Sequence, residues 1–176
     1  MNMSEKIDYA ARLCVPYVVM FILIMVNMSY LHLPLSFSVT LPITLMVVYY
    51  WSIYRPTLVS PVFIFIVGVL MDLLGGLPIG LTAFLLLLVR HIISDQRVFL
   101  TTQPFFIIWL VFFVVSLFSF GAQWFLFGLA SLQWTPLQPV AANIILGVLV
   151  FPIVILFLNL SHKTLPPSDD PYKSVQ

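Results

Sequence analysis

The sequence predicts an all-α integral membrane protein with six transmembrane helices. Three observations carry that reading. Hydrophobic residues make up 62% of the chain and charged residues 7%, with a mean hydropathy of +1.14, whereas a soluble domain carries about 25% charge. Short polar or Pro- and Gly-bearing segments divide the apolar sequence into runs near the roughly 20 residues that a bilayer crossing needs. All seven Lys and Arg residues then fall on one side of the six-run division, which the positive-inside rule assigns to the cytoplasm.

Residues 1–12, with Glu5, Lys6, Asp8 and Arg12, form a polar cytoplasmic N-terminal segment, and residues 13–160 form the membrane domain. The first span, Leu13 to Leu31, is too long for the core of a signal peptide and no small-x-small cleavage site follows it. Pro16 sits in its first turns, where a missing N–H is harmless. Asn27 is expected to face a neighbouring helix. After a turn at His32 to Ser36, the second span runs from about Phe37 to Tyr54, with Thr40 and Thr44 on one face. Its end, Tyr49, Tyr50, Trp51 and Tyr54 before Arg55-Pro56, is expected to be an aromatic belt at headgroup level.

Spans three and four, about Leu58 to Leu74 and Pro78 to Ile93, are joined by a glycine hairpin, and a charged loop with Arg90, His91, Asp95 and Arg97 follows. Span five, Phe105 to Ala130, exceeds the hydrocarbon thickness and is expected to tilt or break near Gly121. Ser116, Ser119 and Gln123 share one of its faces. A turn from Ser131 to Pro136 holds Trp134 at an interface. Span six, Leu137 to Leu160, places Asn143 and Gly147 four residues apart and carries Pro152 as an expected kink. The Pro-rich polar residues 161–176 are expected to be a disordered cytoplasmic tail.

In this division Lys6 and Arg12 precede span one, Arg55 follows span two, Arg90 and Arg97 follow span four, and Lys163 and Lys173 follow span six. Both termini are therefore expected in the cytoplasm of a multi-pass protein. Net charge is +1, with no basic run and no Gly-rich phosphate loop, which excludes nucleic acid as a partner. The single cysteine, Cys14, has no intrachain disulfide partner. His32 and His162 lack a metal-spaced partner, and no serine has a base and an orienting acid. No catalytic residue, cofactor or metal is expected.

The most informative stretch is Phe65 to Phe84, F-I-V-G-V-L-M-D-L-L-G-G-L-P-I-G-L-T-A-F. An acid at mid-bilayer costs about 2.5–3.5 kcal/mol on insertion scales, so Asp72 must lie near an interface, face other helices or find internal donors. Gly68, Asp72 and Gly76 share a helix face that is small and polar. Gly75-Gly76 should end the helix, and Pro78 suits the first turn of the next. Two roles are open to Asp72: to carry a proton or bind a cation or substrate, or to accept N–H bonds from the Gly75 to Ile79 turn and the start of span four, or a hydroxyl from a neighbouring span. His91 and Asp95 are either a proton-handling pair or part of an interfacial charge cluster. The Ser116, Ser119 and Gln123 face lines a ligand cavity or bonds helix to helix, as Asn27, Asn143 and Gly147 are also placed to do. Gly76-x-x-x-Gly80 is better read as a turn than as a packing motif, because Pro78 interrupts it.

The aromatic end of span two with its basic stop, followed by Gly68-Val-Leu-Met-Asp72-Leu-Leu-Gly-Gly-Leu-Pro-Ile-Gly80-Leu, resembles the MreD family of rod shape-determining proteins. Length and span count agree over most of the chain, and the specific part is the Asp72 to Gly80 hairpin. The resemblance implies a fold similar to the substrate-binding subunits of energy-coupling-factor vitamin transporters. It implies no enzymatic activity, a place in the bacterial inner membrane, and partnership with MreC and through it with MreB, RodA and the elongation transpeptidase of peptidoglycan synthesis. Gly68, Asp72, Gly75, Gly76, Pro78 and Gly80 carry over as motif positions. The leading expectation is a non-catalytic membrane scaffold of the elongation machinery. The alternative is a vitamin-type transporter subunit, with Asp72 and the Ser116 to Gln123 face lining an outward cavity.

Overall fold

The computed structural model describes Phe21, Ile22, Met25 and residues 42–57, 59–132 and 136–163. Span one with Asn27, the residues on either side of it, and Trp134 lie outside the described residues, apart from Phe21, Ile22 and Met25, which are helical. Every element among the described residues is a helix: α1 (Ile43–Tyr54), α2 (Pro61–Gly75), α3 (Leu81–Asp95), α4 (Arg97–Thr101), α5 (Phe105–Ser131) and α6 (Gln138–Lys163). Apart from the short α4, they occupy the positions expected of spans two to six. By length and composition α5 and α6 are apolar enough to cross a bilayer alone, while α1 and α2 are shorter apolar helices.

The centre of the bundle is α1. Its residues from Ile43 to Ile53 are all buried. A helix that is apolar all round belongs in an interior, and α1 is enclosed by α3, α4, α5 and α6. Its aromatic end is not a headgroup belt: Tyr49, Tyr50 and Trp51 are at most 1% exposed. The Tyr49 ring meets Phe112 of α5 and Phe151 of α6 edge-on at 5.4 and 5.7 Å, and these two rings stack on each other at 3.9 Å. Such pairs contribute about 0.5–1.5 kcal/mol each beyond the area they bury. The two tyrosine hydroxyls and the Trp109 indole find hydrogen-bond partners, as most buried polar groups do. Tyr49 donates to the Ile108 carbonyl at 2.9 Å and Tyr50 to Asn159 Oδ1 at 2.6 Å. Trp109 Nε1 donates to the Val148 carbonyl at 2.9 Å, tying α5 to α6.

Both long helices are continuous. The α5 helix does not break: it runs unbroken through Gly121, where an added Cβ would meet nothing within 4 Å, and ends at Leu132 in left-handed geometry. In an apolar surround each unsatisfied backbone group is costly, which favours an unbroken helix over a glycine hinge. The α6 helix continues through Pro152 and past the expected boundary at Leu160 to Lys163. Gly147 is a point of close approach. A Cβ there would lie 2.6 Å from Pro42 Cγ, so the start of α1 seats directly on the α6 backbone.

Between α3 and α5 the chain forms α4 rather than an irregular loop, with Leu100 buried against the core. Outward faces of α2, α5 and α6 are lined by large apolar side chains such as Phe65, Leu70, Phe106, Phe118, Leu149 and Phe157. That is the inside-and-outside hydrophobicity a bilayer solvent permits.

Candidate functional site: the Asp72 hairpin

The α2 helix begins with Pro61 at its first position and ends at Gly75. Gly76 follows with φ of 65°, the left-handed conformation that glycine adopts without a Cβ penalty. The amides of Gly76 and Leu77 both donate to the Asp72 carbonyl, the latter at 3.0 Å. A bond reaching from the residue after the left-handed glycine back to the last turn is the Schellman closure of a helix end. Gly80, at φ of 95°, then sets the chain for α3, which starts at Leu81. Pro78 thus lies in the turn and not in the first turn of α3, as the sequence had suggested.

Asp72 is fully buried. Its carboxylate accepts the Gly80 amide at 2.8 Å and the Thr82 amide at 3.1 Å to each oxygen. These donors lie at the beginning of α3, where amides lack helical partners and the dipole favours an anion. Gly80, in the capping position, has no side chain to cap with, so Asp72 supplies the cap from the preceding helix. One residue therefore closes α2 with its carbonyl and opens α3 with its carboxylate. Of the two sets of donors expected, the turn and the start of span four, the structure shows the second: Gly80 and Thr82 at the beginning of α3.

Gly68 fixes the distance between the two helices. A Cβ there would sit 2.3 Å from Ala83 Cα and 2.7 Å from its nitrogen, so the backbones touch and Asp72 is held over the α3 terminus. Gly68 and Asp72 share the buried face of α2 as expected, whereas Gly76 is exposed and matters for its conformation. Gly75 is constrained by neither: an added Cβ would make only ordinary contact with Leu77 at 3.8 Å.

A third helix joins the hairpin through Gln123 of α5, whose amide nitrogen lies 3.4 Å from Thr82 Oγ1. Asp72, Thr82 and Gln123 thus form a polar seam through α2, α3 and α5. Ser116 and Ser119 face the same interior and are buried, but their hydroxyls meet no side-chain or backbone partner among the described residues. Asn143 is half-buried on α6. The structure therefore brings Gln123 to Asp72's cap, and the Ser116 and Ser119 hydroxyls do not bond to it.

At the opposite end of the hairpin, His91 and Asp95 are 3.8 Å apart with side chains 79% and 65% exposed, the geometry of a surface pair on one helix face. Arg90 departs from that cluster. Its Nε donates to the Val59 carbonyl at 2.6 Å and its Nη2 to the Pro56 carbonyl at 3.3 Å, binding the α1–α2 loop to α3. The sequence carried a signal for this: Arg90 lies between Leu86 and Ile93 on the buried stripe of α3. Arg55, Arg90 and Arg97 consequently border one end of the bundle and the Asp72 turn the other.

The model of the family described as rod shape-determining protein MreD matches residues 11–161. No curated protein and no solved structure matches the chain.

Proposed function

The chain belongs to the MreD family of rod shape-determining proteins, and from that premise we propose that it is a non-catalytic, six-span scaffold of the cell-wall elongation machinery in the bacterial inner membrane. The observation that carries the reading is the family match over residues 11–161. The internal bonding supports it. Asp72, Arg90, Tyr49 and Trp109 each spend their polar atoms on the chain's own backbone, which suits a frame that holds faces and loops in place. Asp72 in particular has both oxygens occupied by amides, an arrangement suited to fixing a turn and not to passing a proton.

In this reading both termini are cytoplasmic, with Arg55, Arg90 and Arg97 at the cytoplasmic rim and the Asp72 turn toward the outer leaflet. The partner is MreC, and through it MreB, RodA and the elongation transpeptidase. The bilayer itself covers the outward apolar faces. Affinity capture of the tagged chain from native membranes tests this: MreC is expected to co-purify with the parent chain. Recovery of the intact chain without MreC, under conditions that preserve other membrane complexes, would overturn the scaffold reading.

A further inference from the structure

The α6 helix is continuous through Pro152, although proline brings no N–H to the helical ladder and its ring crowds the carbonyl four residues before it. In α-helical register that carbonyl belongs to Val148. It lies about 15 Å from Gln138 and about 22 Å from Lys163 at roughly 1.5 Å per residue, near the middle of an apolar helix of 26 residues. Hydrocarbon offers no water to replace the lost bond, so another helix must supply it. Pro139, in the first turn, displaces no such bond. No other helix among the described residues has a proline beyond its first turn.

The donor comes from α5. Trp109 Nε1 donates to the Val148 carbonyl at 2.9 Å, so the carbonyl that Pro152 cannot serve is the one that Trp109 does. The two halves of α6 are otherwise anchored separately. Before the proline, Gly147 seats against Pro42 and the Phe151 ring stacks on Phe112 at 3.9 Å. After it, Val154, Ile155 and Leu158 enter the core and Tyr50 bonds to Asn159 at 2.6 Å. Pro152 itself is exposed, so packing does not splint the joint on that side. A helix that lacks one bond at a proline is where sharp bends occur.

We infer that Pro152 is a hinge in α6 and Trp109 its latch: with the indole bonded to Val148 the helix is held straight against α5, and when the indole lets go the halves on either side of Pro152 bend relative to each other. The inference rests only on residence in a bilayer, so its failure would leave the elongation role standing. In the full chain with Cys14→Ser, nitroxide labels on Ile145→Cys and Leu160→Cys, both at exposed positions, bracket the hinge at about 22 Å along the axis. Double electron–electron resonance in reconstituted vesicles reads the distance between them. The parent should give one narrow distribution. Trp109→Phe, which keeps a ring but no donor, should shorten the mean and at least double the width. Adding Pro152→Ala, whose N–H returns a helical partner to the Val148 carbonyl, should restore the narrow peak. The unfolding midpoint in detergent should follow: Trp109→Phe lowers it at least twice as far in the parent as in the Pro152→Ala background. If Trp109→Phe alone does not accumulate, the double variant should. A distribution as narrow in Trp109→Phe as in the parent would overturn the proposal. So would a broad one that Pro152→Ala fails to narrow, equal falls in midpoint in the two backgrounds, or a double variant that accumulates no better than Trp109→Phe.

Discussion

Replacing Asp72 separates a turn-fixing carboxylate from an ion-handling one. In Asp72→Leu the Gly80 and Thr82 amides both lose their acceptor in a fully buried site. Each unpaired donor costs about 1–3 kcal/mol, so the sum is about 2–6 kcal/mol. That is a large share of the roughly 5–15 kcal/mol that holds a typical domain. Asp72→Asn keeps one acceptor oxygen of the right reach but turns an NH2 toward the other amide, and loses the charge that faces the α3 dipole. Its cost should be about half that of the Leu variant. Membrane abundance, thermal unfolding in detergent and rescue of rod shape, measured side by side, should rank the parent first, Asn between and Leu last. Equal loss of rescue by Asn and Leu at undiminished abundance would refute the structural role of Asp72.

Gly68→Ala forces a Cβ into the Ala83 backbone and should lower thermal stability by about 1–3 kcal/mol or more, whereas Gly75→Ala, with no contact under 3.8 Å, should be near neutral; a detergent melting series compares them. Arg90→Met leaves the Val59 and Pro56 carbonyls without their guanidinium donor, and hydrogen exchange should quicken around residues 55–59 while the hairpin turn keeps its protection. His91→Ala, which removes only an exposed pair, should change stability by less than about 1 kcal/mol. A cysteine at Ser174 should resist an impermeant maleimide applied outside intact cells; labelling from that side would contradict cytoplasmic termini.

The hairpin was legible in the sequence because its signals are local. A lone acid, a glycine pair and a proline inside apolar sequence have few structural solutions, and Gly76 ends α2 as the pattern predicts. Which amides reach Asp72, those of the turn or those at the start of the next helix, was left open by the sequence, because only the backbone shows that α3 begins at Leu81 after Gly80. Tyr49, Tyr50 and Trp51 misled for a different reason. Aromatic residues before Arg-Pro look the same whether they face headgroups or a core, and the choice depends on the helices that enclose them, α5 and α6 around Tyr49 among them. Arg90 was hidden likewise, since its partners are carbonyls some thirty residues upstream. Of tilt and break, the two ways open to an over-long span five, the break at Gly121 does not occur, and no neighbouring side chain approaches that glycine.

Depletion followed by complementation tests the central claim most directly. In a rod-shaped host that depends on this gene, removal of the protein should turn rods into round, fragile cells, and the parent chain should restore rods while Asp72→Leu does not. Rods of normal width after verified depletion would contradict a role in cell-wall elongation.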